Sequence, residues 1–303
     1  MRYHYPVNLA PQVEEALRQG RPVVALESTV ITHGLPHPRN LELARELEET
    51  VREAGAVPAT IGLVDGIPTV GLDAGQLERL ATEPAQKASL WNLAALMATG
   101  ASAGTTVATT LHFAHASGIR VFATGGIGGV HNEPFDESAD LQALTRYRVI
   151  TVCAGPKSIL DTPATMERLE SLGVPVVGFR SDRLAGFHVP LTDLPVPVTL
   201  ETPAQIARAF SLHAGLDLPG GMLISNPVSD GLHREELASY LSAAHREAQE
   251  RSLSGKDVTP FLLARLAELS EGRTVDVNVR LLKENAQLAA RIAVEAAREG
   301  SPI

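Results

Sequence analysis

Two apolar runs in this chain each end on a residue that can move protons or attack carbon. VITVCAGPKSILD (149–161) leaves a strand-like run through Ala154, Gly155 and Pro156 and then offers Lys157. An ammonium at the rim of an apolar strand end loses hydration, which favours the neutral amine, and a neutral amine attacks a carbonyl or masked aldehyde. The other role open to Lys157 is that of a fixed positive charge for a phosphate. Lysine is scarce here: Lys87, Lys157, Lys256 and Lys283 stand against 22 arginines. A lysine kept in an apolar motif can do what arginine cannot, which is to lose its proton; for Lys256 and Lys283 chance is the simpler reading. Glu27 closes the second run, PVVALES, and is followed by Ser28, Thr29 and Thr32-His33-Gly34. At the carboxyl edge of a strand, where α/β folds place ligands, a carboxyl with a raised pKa donates a proton. Accepting hydrogen bonds from neighbouring N–H groups is its structural alternative.

Two glycine-rich segments, GASAGTTVATT (100–110) and ATGGIGGVH (123–131), fall where a strand hands over to a helix or turn. Backbone N–H groups at such sites suit an anion, with Thr105, Thr106 and Thr124 adding hydroxyls. Tight turns and close packing account for the glycines equally well. Neither segment is a Walker A loop or a dinucleotide fingerprint. FDESADL (135–141) groups Asp136, Glu137 and Asp140, with Asp136 and Asp140 on one face if the segment is helical. Magnesium or manganese held through one carboxylate and several waters fits that grouping, as does an ordinary acidic helix start. His112 and His115 read as packing residues, His33 and His37 lie beside prolines that spoil a helical metal pair, and Cys153 reads as a small buried residue.

These residues need a layered scaffold. Strand-length apolar runs at 22–28, 57–63, 67–72, 120–124, 149–154, 174–179 and 221–225 alternate with helical spacing over 40–54, 105–117, 162–172, 202–214 and 234–252. Asp65-Gly66 joins two of the strands as a hairpin turn, so the predicted sheet is mixed. The last ~45 residues read as two helices forming a C-terminal appendage. Proline-rich 181–203 lacks periodicity and reads as a lid or a surface crossing. The fold class is α/β, a three-layer α/β/α sandwich, with 1–303 as a single domain of 303 residues. A 44% hydrophobic, 20% charged composition excludes disorder as a main theme, and a net charge of −9 disfavours nucleic acid as partner. One cysteine excludes an intrachain disulfide, and no run reaches membrane-span length, so a cytoplasmic protein is expected, with no membrane partner.

In order along the chain, ALESTVITHGLPHPRN, TIGLVDGIPTVGL, GTTVATTL, ATGGIGGVH, DESADL, CAGPKSILD and SNPV resemble the pseudouridine-5′-phosphate glycosidase family, also called the indigoidine synthase A type. The resemblance implies reversible cleavage of the C–C glycosidic bond of pseudouridine 5′-phosphate to uracil and ribose 5-phosphate, a Mn2+-type ion and a homotrimer. By motif it makes Lys157 the Schiff-base nucleophile, Glu27 the proton donor and Asp136 the metal ligand. Ser138, Ala139 and Asp140 match a substrate-binding run, with Asp140 assisting proton transfer. Lys87 and Val107 match substrate contacts, Thr124 and His131 further pocket residues, and Asn278 a polar position near the sugar, with Asn285 its rival.

The sequence departs from the family pattern in three places: a short connection from His131 to the aspartates, SDRLAGFHVP where a Phe-Pro-x-Phe-Tyr run is usual, and Pro156 before the lysine. Two other functions compete. A metal-independent Schiff-base aldolase or lyase would use Lys157 without Asp136, and a non-catalytic nucleotide-binding accessory protein would bind ligand without releasing uracil.

Overall fold

The structure is a computed structural model that describes residues 7–131, 136–251, 253 and 258–299. In chain order its elements are β1 (Asn8–Leu9), α1 (Pro11–Arg18), β2 (Val23–Leu26), a π-helical turn (Val30–Gly34), α2 (Arg39–Glu53), β3 (Val57–Val64), β4 (Ile67–Val70), α3 (Ala74–Thr82), β5 (Gln86–Ala88), α4 (Leu93–Ala98), β6 (Ala103–Thr105), α5 (Val107–Ala116) and β7 (Val121–Ala123). There follow α6 (Ala139–Arg146), β8 (Ile150–Cys153), α7 (Thr162–Ser171), β9 (Val176–Phe179), β10 (Arg183–Gly186), β11 (Val189–Pro195), β12 (Val198–Leu200), α8 (Pro203–Gly215), β13 (Met222–Ser225), α9 (Arg234–Glu250), α10 (Val258–Leu269) and α11 (Arg273–Arg298).

The main sheet runs β1-β4-β3-β2-β7-β8-β13-β9-β12, with β6 and β5 attached beside β3. It is mixed, as expected: β3–β4 and β3–β6 are antiparallel and the other pairs parallel. Asp65 and Gly66 both take positive φ (51° and 77°), the pair of angles a two-residue hairpin turn of matching twist requires.

Successive side chains of the central strands go to opposite faces, and both faces are apolar. Val24, Leu26, Val121, Ala123, Ile150, Val152 and Ile224 join one core with α2, α8 and α11. Val23, Ala25, Phe122, Cys153 and Leu223 join the other with α1, α5 and α6. This double coverage is the three-layer arrangement. The expected helical pair closes the chain, and α11 lies directly on β2, β7 and β8 while also packing against α2 and α8. Lys283 on α11 pairs with Glu46 on α2 at 2.5 Å, an ordinary structural charge, whereas Lys256 lies outside the described residues.

Helix starts follow their side chains. Asp73 and Thr202 form capping boxes with Gln76 and Gln205, Asp161 caps α7, Thr106 caps α5 and Ser138 caps α6. That last cap corrects one expectation. Because α6 begins at Ala139, Asp136 stands outside the helix and shares no helical face with Asp140. Among the described residues no helix is long and apolar enough to cross a membrane.

Candidate active site

Strand order sets the location of the site. From β2 the chain moves outward to β3 and β4, whereas from β7 it moves the other way to β8. Order therefore reverses between β2 and β7, and a crevice opens at their carboxyl ends. Glu27 follows β2, Thr124 and Gly125 follow β7, and Lys157 stands in the loop beyond β8. Helices α10 and α11 roof the crevice through Leu263, Val275 and Leu282, giving a cavity of about 500 Å³. That is room for a nucleotide-sized molecule. Its polar lining comprises Glu27, Thr29, His33, Lys87, Lys157, His188, Thr274 and Asn278.

The lysine loop is tightly held. The Lys157 N–H donates to the Ile127 carbonyl at 3.1 Å, and the Lys157 carbonyl accepts from Leu160 at 3.0 Å. Lys157 itself is half-buried, with its side chain on the cavity wall. Gly155 takes φ +87°, and a Cβ there would fall 2.2 Å from the Ala185 carbonyl oxygen, so glycine is required on both counts.

Glu27 accepts a short hydrogen bond from the Thr124 hydroxyl. Burial raises the Glu27 carboxyl above its ordinary value; Lys157 and the Thr124 bond pull it partly back, Asp140 pushes it up again and Lys87 lowers it. A protonated carboxyl therefore survives to higher pH than in water, the condition for a general acid. Lys87, on β5, is lowered by loss of water around its ammonium and then by the neighbouring charge of Lys157. His33 is likewise lowered, first by desolvation and then by Lys87. Opposite charges thus converge on one volume.

The sequence candidates divide into three groups. Glu27, Lys87, Lys157 and Asn278 face the cavity. Asn285 does not: it is 1% exposed, accepts from the Asn226 amide at 3.0 Å and donates to the Thr124 carbonyl at 2.8 Å, so between the two asparagines Asn278 is the one at the site. Thr124 and Asp140 lie just behind the wall. Asp140 accepts from Ala108 N–H at 2.9 Å and Gly128 N–H at 2.8 Å, bracing the start of α5 against the glycine loop. Val107, Ser138, Ala139, His131 and Asp136 do not line the cavity; the first three are chain neighbours of that brace, and His131 and Asp136 meet each other. Gly128 is part of the brace, since a Cβ there would meet the Ser138 hydroxyl at 2.3 Å. The Thr105 hydroxyl, read as an anion donor, is turned inward and donates to the Ile61 carbonyl at 2.7 Å. His112 meets Tyr147 at 3.0 Å, away from the site, and Cys153 is buried with its thiol pushed up to about 12 by loss of hydration.

Among the described residues no cluster of three or more His, Cys, Asp or Glu is arranged to hold an ion. Asp136 is partly exposed, with His131 Nδ1 3.9 Å from its Oδ2. One carboxylate and one ring nitrogen suit an ion that keeps most of its water, not a closed cage. Residues 132–135, the short connection noted in the sequence, lie outside the described residues.

Four cavity features escaped the sequence reading. His33 was set aside as proline-flanked, yet the π-helical turn carries it to the rim. Phe187 and His188 come from the stretch without periodicity, and the roof from α10 and α11 reads in sequence only as apolar stripe. The available signal was a single histidine, His188, set inside the otherwise apolar GFHVP.

The profile of the indigoidine synthase A-like proteins matches residues 12–295. A pseudouridine-5′-phosphate glycosidase of Thermus thermophilus is 58% identical over 273 residues, 90% of this chain and 97% of that one. The Deinococcus radiodurans glycosidase of the same name is 47% identical, covering 99% and 97%. Among solved structures, the prealnumycin C-glycosynthase AlnA in complex with ribulose 5-phosphate superposes with a TM-score of 0.91 at 34% identity, covering 99% of both chains. An indigoidine synthase A-like protein of Thermotoga maritima gives 0.90 at 35%, covering 98% and 99%.

Proposed function

Because the chain belongs to the indigoidine synthase A-like family, we propose that it cleaves and re-forms the C–C glycosidic bond of pseudouridine 5′-phosphate, exchanging it with uracil and ribose 5-phosphate. The observation that carries this reading is the convergence of Glu27, Lys87 and Lys157 on one cavity at the carboxyl ends of β2 and β8, beside β7. The relatives' shared name and the pentose phosphate bound by a structural neighbour support it.

An oxygen glycosidase protonates its leaving oxygen between two carboxylates. Here the leaving atom is carbon 5 of uracil, and the cavity offers one acid and two amines. Glu27 gives its proton to the ribose ring oxygen as Lys157 Nζ bonds to carbon 1, so that the carbon 1–ring oxygen bond breaks and the sugar opens on the enzyme. The proton that this attack leaves on Nζ passes to the Glu27 carboxylate and from there to carbon 5 of uracil, whereupon the carbon 1–carbon 5 bond breaks and the nitrogen lone pair forms the imine. Water then adds to the imine and releases ribose 5-phosphate, returning Lys157. Lys87 would balance negative charge of the substrate, and Asn278, on the same cavity wall, would hydrogen-bond the sugar or base.

The same reading assigns Asp136, with His131 beside it, to a hydrated Mn2+, whose chemistry would be charge stabilisation of substrate oxygens. It also takes the enzyme to be a cytoplasmic homotrimer. The test of function is uracil release from pseudouridine 5′-phosphate followed by absorbance, with borohydride added in the presence of ribose 5-phosphate. Wild type should release uracil and gain the mass of a reduced pentose phosphate on the Lys157 peptide, and Lys157→Ala should do neither. Binding without release would make the protein an accessory, and release with an unmodified Lys157 peptide would remove the covalent step.

A further inference from the structure

Hairpin tips ordinarily stand in water, but the tip of β10–β11 points into the molecule. Phe187 and His188 form the turn and are 4% and 2% exposed. Phe187 holds φ 62°, in the left-handed region that bulky residues avoid. What the tip touches is the loop that carries Lys157. The Phe187 N–H donates to the Ala154 carbonyl at 2.9 Å, and the Phe187 ring leaves no space for a Cβ on Gly126, which would meet two ring carbons at 2.6 Å. His188 is fixed from behind, its carbonyl accepting from the Leu232 N–H at 2.8 Å. In front, its Nδ1 lies 2.8 Å from the hydroxyl of Ser158, the residue next to Lys157. The imidazole is pushed down to about 4 by burial, so it brings no positive charge to the lysine.

We propose that this buried hairpin tip clamps the lysine loop, and that His188 acts as a positioning residue for Lys157 through the Ser158 hydroxyl. The proposal rests on the reading of Lys157 as nucleophile. A conformationally free lysine would meet carbon 1 at the correct distance and angle in a small fraction of encounters, whereas a loop held through its backbone at Ala154 and Lys157 and through the Ser158 hydroxyl leaves only the lysine side chain's own rotations to settle. The clamp therefore acts on the attack step and not on affinity.

Its test compares Ser158→Ala, His188→Phe, His188→Asn and the double variant Ser158→Ala/His188→Asn. The measurements are kcat and KM for uracil release, together with the rate of borohydride trapping of ribose 5-phosphate on Lys157. Asparagine places an amide where Nδ1 stood, so it can keep the bond to Ser158. Ser158→Ala, which leaves the cavity wall unchanged, should lose roughly 10- to 100-fold in kcat and in trapping rate with KM within about twofold, and His188→Phe, which also alters the wall, should lose at least as much in kcat and in trapping rate. His188→Asn should recover most of the loss, and only while Ser158 is present. Losses confined to KM, a wild-type trapping rate in Ser158→Ala, or a His188→Asn recovery that ignores Ser158 would each overturn the clamp. Wild-type protein that cannot be trapped at Lys157 would overturn the covalent reading and the clamp together. Trapped wild type with unaffected variants would remove the clamp alone.

Discussion

Asp140→Asn tests the electrostatic design of the site with the least change of shape. Asp140 holds two backbone N–H groups, one at the start of α5 and one in the glycine loop, at 2.9 and 2.8 Å. An asparagine oxygen can keep one of them, but its amide then turns a donor toward the other. Losing one hydrogen bond to a charged group costs about 1.5–3 kcal/mol, and the survivor weakens from ionic to neutral, so about 3 kcal/mol in total is expected. At roughly 2 °C per kcal/mol for a chain of this size, the Tm should fall by about 6 °C. Activity should report a separate effect. The Glu27 carboxyl is raised chiefly by burial, and the Asp140 charge adds to that rise. Removing the charge lowers the Glu27 pKa, so the alkaline limb of the kcat profile, where Glu27 loses its proton, should move to lower pH. Differential scanning fluorimetry and a pH series of uracil release measure the two effects. An unchanged Tm would refute the brace, and an alkaline limb that stays put or moves to higher pH would refute the coupling to Glu27.

Three further outcomes are expected. Glu27→Gln should abolish uracil release yet melt above wild type: a carboxyl with a raised folded pKa contributes most below its unfolded value and loses that contribution as pH rises through the folded one, so the gap in Tm should widen from pH 5 to pH 8, and a constant or reversed gap would contradict the burial argument. Gly126→Ala forces a Cβ against Phe187 and should cost roughly 1–3 kcal/mol together with activity, while a wild-type Tm would show that the ring has room to move. Treatment with EDTA should remove activity and Mn2+ restore it, and Asp136→Ala should raise the Mn2+ needed by more than about tenfold, the equivalent of ~1.4 kcal/mol; full activity in EDTA would end the metal assignment.

Glu27 and Lys157 were legible because a charged residue at the end of an apolar strand is costly and calls for a use, and strand ends are where α/β folds keep their ligands. The Asp65-Gly66 turn was legible because few dipeptides accept two positive φ angles. The helices α1, α3 and α4 were not, since segments of six to nine residues show too few turns for a period to emerge, and α6 showed only its start, through the serine and acids that cap it. The hairpin behind Lys157 was hidden for another reason: its prolines and the left-handed Phe187 look like irregular chain until the partner strand and the buried tip supply the stabilisation. Asn278 and Asn285 are seven residues apart and share nearly one face of α11, so the choice depends on where along the helix the cavity lies, and an isolated sequence carries no mark for that.

The roof over the crevice comes from α10 and α11, whereas Glu27 and Lys157 stand far earlier in the chain. On the ribosome, then, both reactive groups emerge well before the helices that enclose them. A nascent chain that lacks α11 would hold an open groove with the apolar surface of β2, β7 and β8 uncovered and sticky toward other chains. The crevice is therefore enclosed only once α11 has docked on β2, β7 and β8.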